Sequence, residues 1–172
     1  HKTTPDVLKR SGRNFTGEVA AAVAKIMTSM DLVYGASRYQ YTTHCNTEIG
    51  QRGTISYRCQ TNSTTDDPET IVLGLAEGVS FGCGDACLGI NPVNDDAANT
   101  KRIAEAVYEF MTRNEIPTQV VVLSHITTQM EALRRGAPLS MIFQSIAGTQ
   151  ATNDDFGVSR ALLEEAYDLV KQ

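Results

Sequence analysis

From Thr16 onward the apolar residues Val19, Val23, Ile26, Met27 and Met30 fall at i, i+4, i+7, i+8 and i+11, the period of a helix buried along one side, with Thr16 as its expected N-cap. Residues 1–15 are polar and irregular and read as a loose lead-in. A short apolar run from Asp31 to Tyr34 ends at Gly35, and 36–53 read as loop, where Tyr39 and Tyr41 suit surface packing better than lining a site. The period then changes. In Thr54-Ile-Ser-Tyr-Arg-Cys-Gln60 successive side chains of a strand point to opposite faces, so Ser56, Arg58 and Gln60 share one face while Ile55, Tyr57 and Cys59 share the other. Three further runs read as strands: Cys87–Asn91, Val120–His125 and Ser140–Ile146, each meeting polar residues at its C-terminal end.

Helical patterns separate these strands. Asp67 before Pro68 predicts an N-cap with proline at the first helical position, leading a helix through Ile71, Val72 and Leu75 to about Gly78. Asn94, Asp95 and Asp96 offer caps for a helix through Ile103, Val107, Phe110 and Met111, closed by Asn114 and Pro117. A helix over about Thr127–Arg135 stops at Gly136 and Pro138, 148–155 read as loop, and the last helix carries Leu162, Leu163, Ala166, Leu169 and Val170 on its apolar side. Strand and helix thus alternate four times at a spacing near 30 residues, which predicts a parallel α/β architecture. Such crossovers open into a doubly wound sheet or bend toward a (β/α) TIM-type barrel, and the pattern alone does not choose. Either way, ligands bind beyond the carboxyl ends of the strands.

Length bounds the barrel option, because 172 residues are well short of the roughly 250 that eight βα units need. With 15 basic against 20 acidic residues the net charge is −5, which argues against a polyanion-binding surface. Lys9-Arg10 and Arg134-Arg135 read as solvated charges. No apolar run approaches a membrane span and no signal segment opens the chain, so a soluble, non-secreted protein is expected. The opening His1 in place of Met suggests a fragment. Cys45, Cys59, Cys83 and Cys87 read as free thiols, because a chain this rich in Val, Leu, Ile and Ala needs no staples, and their spacing suits no zinc knuckle. Phe81-Gly-Cys-Gly-Asp85 precedes a strand, whereas phosphate loops follow one, so it reads as a tight turn.

The strand ends gather Arg58, Gln60, Asn91, His125, Gln144 and Ser145. This set is rich in amides and poor in carboxylates, and suits holding a small polar molecule better than hydrolysing one. There is no Gly-x-Ser-x-Gly elbow, no strand-end Schiff-base lysine and no nucleophile paired with His125, for which a structural donor or acceptor role is expected.

A series of longer words carries more. Arg58-Cys-Gln60-Thr-Asn62 with Thr65-Asp-Asp67, then Glu77-Gly-Val-Ser-Phe-Gly82, Gly84-Asp85, Gly89-Ile-Asn-Pro-Val93, Ile116-Pro-Thr-Gln119, Arg134-Arg-Gly-Ala-Pro138 and Ile142-Phe-Gln-Ser-Ile146 together resemble the large, catalytic subunit of ethanolamine ammonia-lyase. Glu18–Ile26 with Asp31-Leu-Val-Tyr-Gly35 matches as well, so the resemblance runs from about residue 8 to the end. It implies a TIM barrel that uses adenosylcobalamin, a cobalt corrinoid, to convert ethanolamine to acetaldehyde and ammonia by radical chemistry. The resemblance makes residues 1–50 a helical lead-in and 51–172 the first half of the (β/α)8 barrel. It also implies that Arg58 and Asn91 hold the substrate hydroxyl, that Gln60 with Asn91 holds the amine, and that Pro92, Gln144 and Ser145 lie against the cobalamin. A small subunit as partner and residence in a bacterial microcompartment are implied too.

Two departures qualify these expectations. The family word usually has Leu and Pro where this chain has Cys59 and Thr61, which spares both contacting side chains. The resemblance implies that the carboxylates which would neutralise the substrate ammonium come from later strands and have no counterpart here, so this chain alone is expected to be inactive or nearly so. The alternatives are a non-catalytic half barrel that pairs with a complementary chain, and an unrelated binding domain with a doubly wound sheet.

Overall fold

The computed structural model describes residues 3–12, 14–38 and 42–172; Tyr39 and Tyr41 lie outside the described residues. The polar N-terminus is not irregular, as the sequence suggested, but opens with a short helix, α1 (Pro5–Gly12). Thr16 caps α2 (Gly17–Ile26) as expected, its hydroxyl accepting the Val19 N–H at 3.3 Å. The periodic run does not continue through Met30 as one helix. Met27 is extended, and Thr28 starts α3 (Ser29–Ala36) through a reciprocal capping box: Thr28 Oγ1 accepts the Asp31 N–H at 3.2 Å, and the Asp31 carboxylate accepts the Thr28 N–H at 3.0 Å. A local side-chain bond here outcompetes one more helical turn. The stripe expected to be buried also stays largely uncovered among the described residues, with Ile26 83% and Met30 72% exposed.

Within the stretch read as loop, β1 (Thr43–His44) and β2 (Glu48–Ile49) form a small antiparallel hairpin. Its turn is pinned by the buried Gln119, whose Oε1 accepts the Thr47 N–H at 2.9 Å and whose Nε2 donates to the Thr47 hydroxyl and the Ala86 carbonyl, each at 2.8 Å.

The central sheet is parallel and runs in chain order: β3 (Arg58–Thr61), β4 (Cys87–Ile90) and β5 (Val120–Val122). The first strand is shorter than its alternating pattern because Tyr57 bonds to the turn before β4: its carbonyl accepts the N–H groups of Gly84 and Ala86, both at 3.1 Å, and its N–H donates to Asp85 at 2.7 Å. Helices α4 (Pro68–Ser80), α5 (Ala97–Arg113) and α6 (Ile126–Arg134) follow the three strands, with Asp67 and Asp96 capping α4 and α5. Cys59, Leu88, Ile90, Val120 and Val122 alternate onto one face and form the core with Ile71 and Leu75 of α4, Ile103, Ala104 and Val107 of α5 and Ala132 of α6. All three helices therefore contribute to the core on the same side of the sheet. The opposite face receives no helix from this set.

Contact between α4 and β3 depends on two glycines one turn apart. A Cβ at Gly78 would lie 2.3 Å from Cys59 Sγ, and one at Gly74 would lie 2.8 Å from Thr61 Cγ2.

The expected fourth strand is not one: Ser140–Ile146 runs without entering the ladder. Only its start touches β5, where the N–H groups of Ser140 and Met141 meet the Val120 carbonyl at 3.1 and 3.2 Å. Buried Gln129 then takes the place of a neighbouring strand, accepting the Phe143 N–H at 2.9 Å and donating to the Phe143 carbonyl at 2.6 Å. The backbone is satisfied by a side chain, so a strand-like sequence yields no strand pairing. Beyond it, Thr149 caps a helix that was read as loop, α7 (Gln150–Asp155), and α8 (Arg160–Val170) packs Ala166, Leu162 and Leu169 against Ile126 and Met130 of α6.

Asp85 gives this fold an acid-sensitive contact. Its carboxyl is held below the usual range, chiefly by the Tyr57 N–H, with partial burial opposing and the Ser56 hydroxyl assisting. Because the folded pKa is depressed, the contribution is full above the unfolded value of about 3.9 and is lost as pH falls through the folded one. Asp85→Asn is thus expected to be less stable than the parent at neutral pH, with the difference shrinking as the pH falls below about 4 in urea unfolding. A difference independent of pH would contradict this role.

Candidate functional site

The face of the sheet turned away from the helices carries the alternate set of strand residues. Register pairs Arg58 with Cys87, Gln60 with Gly89, and Gly89 with Val121. Arg58, Gln60, Gly89 and, two residues on, Asn91 therefore share this face, with Gln60 and Asn91 toward the C-terminal ends. Gly89 makes the floor: a Cβ there would lie 2.9 Å from Arg58 Cδ and 3.5 Å from Leu123 Cδ1, so the arginine stem crosses from β3 over β4. Arg58 is exposed, and among the described residues its guanidinium forms no hydrogen bond or ion pair. Gln60 Oε1 is buried and accepts no hydrogen bond. An acceptor left in that state costs about 1–3 kcal/mol, which a ligand N–H or ammonium placed against it would recover. Asn91 Nδ2 donates to Asn62 Oδ1 at 3.3 Å, leaving the Asn91 carbonyl oxygen available.

Asn62 lies just past the end of β3, two positions after Gln60, where it accepts the Asn91 amide. Asp66 stands in the sequence only inside the word Thr65-Asp-Asp67, with no role of its own. Its carboxylate accepts the N–H groups of Val93 (2.7 Å) and Asn94 (2.8 Å) and Asn99 Nδ2 (2.8 Å), joining the loop after β3 to the loop after β4. Burial pushes its pKa up, but these three bonds together with the Arg102 charge outweigh it and hold the carboxyl below its ordinary value. No spacing rule marks such a residue, because its partners lie 27–33 positions away.

His125 is structural. It caps α6; Nδ1 accepts the Thr127 N–H at 3.3 Å, which leaves Nε2 protonated to donate to the Phe156 carbonyl at 3.0 Å. Gln144 is also largely engaged: its Oε1 accepts the Ile126 N–H at 3.0 Å and its Nε2 donates to the Ser145 carbonyl at 3.1 Å. Through that bond to the start of α6, Gln144 and the exposed Ser145 stand at the C-terminal end of the sheet, as does Pro92 directly after Asn91. Nearby Val93 and Ile146 are 64% and 67% exposed, giving this end apolar surface. The four cysteines are unpaired. Burial raises the Cys59 thiol, with Cys83 adding to the effect, and burial raises Cys87 against the opposing charge of Arg58, so neither is set up as a thiolate nucleophile. A groove of about 580 Å³ between α4 and α5, lined by Pro68, Val72, Phe110 and Arg113, lies on the helix side, away from the strand-end set.

The arrangement can donate to an oxygen from Arg58 and accept from a cationic nitrogen at Gln60 and Asn91. Residues 1–172 match the family described as ethanolamine ammonia lyase large subunit (EutB). The chain belongs to the ethanolamine ammonia-lyase large subunit family. It is 47% identical over 165 residues to the ethanolamine ammonia-lyase large subunit of Escherichia coli (strain K12), covering 96% of this chain and 36% of that protein. The Salmonella typhimurium (strain LT2) protein of the same name is similar to the same degree, 47% over 165 residues with the same coverage. The chain thus spans about 36% of the length of the curated relatives it matches. Family membership accounts for the order of words along the chain; it does not by itself give any residue its task.

Proposed function

We propose that this stretch contributes the Arg58, Gln60 and Asn91 side of the substrate site in an adenosylcobalamin-dependent ethanolamine ammonia-lyase, a lyase that converts ethanolamine to acetaldehyde and ammonia. The observation that carries the proposal is the placement of Arg58 and Gln60 on the sheet face turned away from the helices, with Asn91 just past the end of β4 and the buried Gln60 oxygen lacking a donor. Arg58 and the Asn91 amide donate to the substrate hydroxyl, while the Gln60 and Asn91 carbonyl oxygens accept from the ammonium. Fixing both ends of so small a molecule leaves the carbinol carbon in one orientation, and orientation is what a protein contributes to radical chemistry.

Adenosylcobalamin, when bound, supplies the organic radical that takes hydrogen from the carbinol carbon. The donor set at the strand ends fits such a group. Pro92, Val93 and Ile146 offer apolar surface, and Ser145 with the spare N–H of Gln144 offers hydrogen bonds, which suits a flat macrocycle fringed with amides. Pro92, Gln144 and Ser145 would lie against it.

The strand order supports the barrel over the doubly wound sheet. Sequential parallel strands with helices on a single face match one arc of a (β/α)8 barrel, whereas a doubly wound sheet is covered on both faces. On this reading residues 51–172 form the first half of the barrel and 1–50 its helical lead-in. A family named for its large subunit also implies a small one as partner. Residence in a bacterial microcompartment belongs to the same proposal; among the described residues no helix is long and apolar enough to cross a membrane.

None of the three contacting side chains carries negative charge, so the 172-residue polypeptide by itself is expected to give no acetaldehyde from ethanolamine. The complete large subunit with the small subunit and adenosylcobalamin is expected to give it, followed by alcohol dehydrogenase coupling. Turnover by the isolated polypeptide would contradict a site divided between this stretch and later carboxylates. An inactive complete assembly would overturn the lyase reading and favour the non-catalytic pairing module, to which the exposed apolar stripe of α2 and α3 lends support.

A further inference from the structure

We infer that Asp66 is a positioning residue of the ethanolamine site: its carboxylate ties the loop after β3 to the loop after β4 and so sets Asn91 and Pro92 relative to Arg58 and Gln60. The inference rests on the function proposed above. Asp66 Oδ1 accepts the Val93 N–H at 2.7 Å, and Oδ2 accepts the Asn94 N–H and Asn99 Nδ2, both at 2.8 Å. Val93 and Asn94 follow Pro92 directly, and the proline ring fixes one of the few torsions that separate them from Asn91. Holding those two N–H groups therefore holds the asparagine.

The clamp is itself braced. Arg102 Nη2 donates to the Asp66 carbonyl at 2.8 Å and to Asn99 Oδ1 at 2.7 Å, and Asn99 Nδ2 donates a second bond to the Asn94 carbonyl at 2.9 Å. Arg102 and Asn99 sit on the first two turns of α5, so the helix, both loops and the strand ends form one connected unit. Asp66 touches neither Arg58 nor Gln60, and its effect on substrate passes through the 91–94 backbone. An amide in place of the carboxylate would direct an NH₂ group at backbone donors and break at least one of the two N–H bonds.

Asp66→Asn in the complete enzyme tests this, with Asp67→Ala as the comparison. Asp67 caps α4 through the Thr70 N–H and lies outside the clamp, so its loss lowers thermal stability without moving Asn91. Asp66→Asn is expected to lower kcat/KM for ethanolamine by about 10²-fold, with kcat carrying most of the loss. It is also expected to speed hydrogen exchange at the Val93 and Asn94 amides by at least about tenfold. Asp67→Ala should keep the kcat/KM of the parent. If Asp66→Asn does not fold, Arg102→Gln, which removes the brace and leaves the carboxylate, should show the same kcat-weighted loss at smaller size. Parent kcat and KM in the variant that folds would overturn the role of Asp66 alone. A parent enzyme inactive on ethanolamine would overturn the substrate reading, and the positioning role with it.

Discussion

Arg58→Ala in the complete enzyme is expected to lower kcat/KM for ethanolamine by about 10²-fold, the loss of a charge-assisted bond worth up to about 3 kcal/mol. The side chain is exposed and makes no hydrogen bond or ion pair among the described residues, so its removal should leave thermal stability nearly unchanged. That separation matters, because it distinguishes loss of substrate contact from loss of fold. Arg58→Lys should recover little, since a point charge cannot reproduce the planar fork that the arginine stem carries past Gly89. Gly89→Ala should mimic part of the effect from the neighbouring strand, because its new Cβ would have to displace Arg58 Cδ from 2.9 Å. Unchanged steady-state kinetics in Arg58→Ala would remove the arginine from the site.

The largest stability effect is expected at the opposite face. Gly78→Val should cost about 3 kcal/mol, the upper part of the range for overpacking a well-filled interior. The first added carbon already lies 2.3 Å from Cys59 Sγ, and both are enclosed by α4, β3 and the turn at Gly84. Relief is possible only by moving the thiol or lifting the helix. Cys59→Ala should therefore rescue much of the loss, and a double-mutant cycle in urea gives the coupling directly. Additive effects of the two substitutions would mean that the helix approaches β3 through some other contact.

Much of the frame was readable from sequence wherever local signals agreed. Asp67 before Pro68 gave the start of α4, the β-branched run Val120–Val122 gave β5, and the alternation around Arg58 put Gln60 on its face. The failures are local competitions that periodicity does not register. The Thr28–Asp31 capping box broke a regular apolar period, and Gln129 took the partner role for Phe143. Which way the crossovers wind was also hidden, because α4, α5 and α6 each carry an apolar stripe whose side of the sheet depends on register. Gly74 and Gly78 were a usable sign that α4 lies close on a strand, although their spacing does not name the strand. The shared face of Arg58 and Gln60 was legible through strand parity. The clamp of Asp66 was not, since backbone N–H groups leave no residue signature.

The most direct test of the strand-end site is a crystal structure of the complete enzyme with ethanolamine and a cobalamin. The expected result is an ethanolamine molecule whose hydroxyl lies within hydrogen-bond distance of Arg58 and Asn91, with its nitrogen against the Gln60 carbonyl. Ethanolamine bound elsewhere, with Arg58 still facing solvent and the Gln60 oxygen still without a donor, would contradict it.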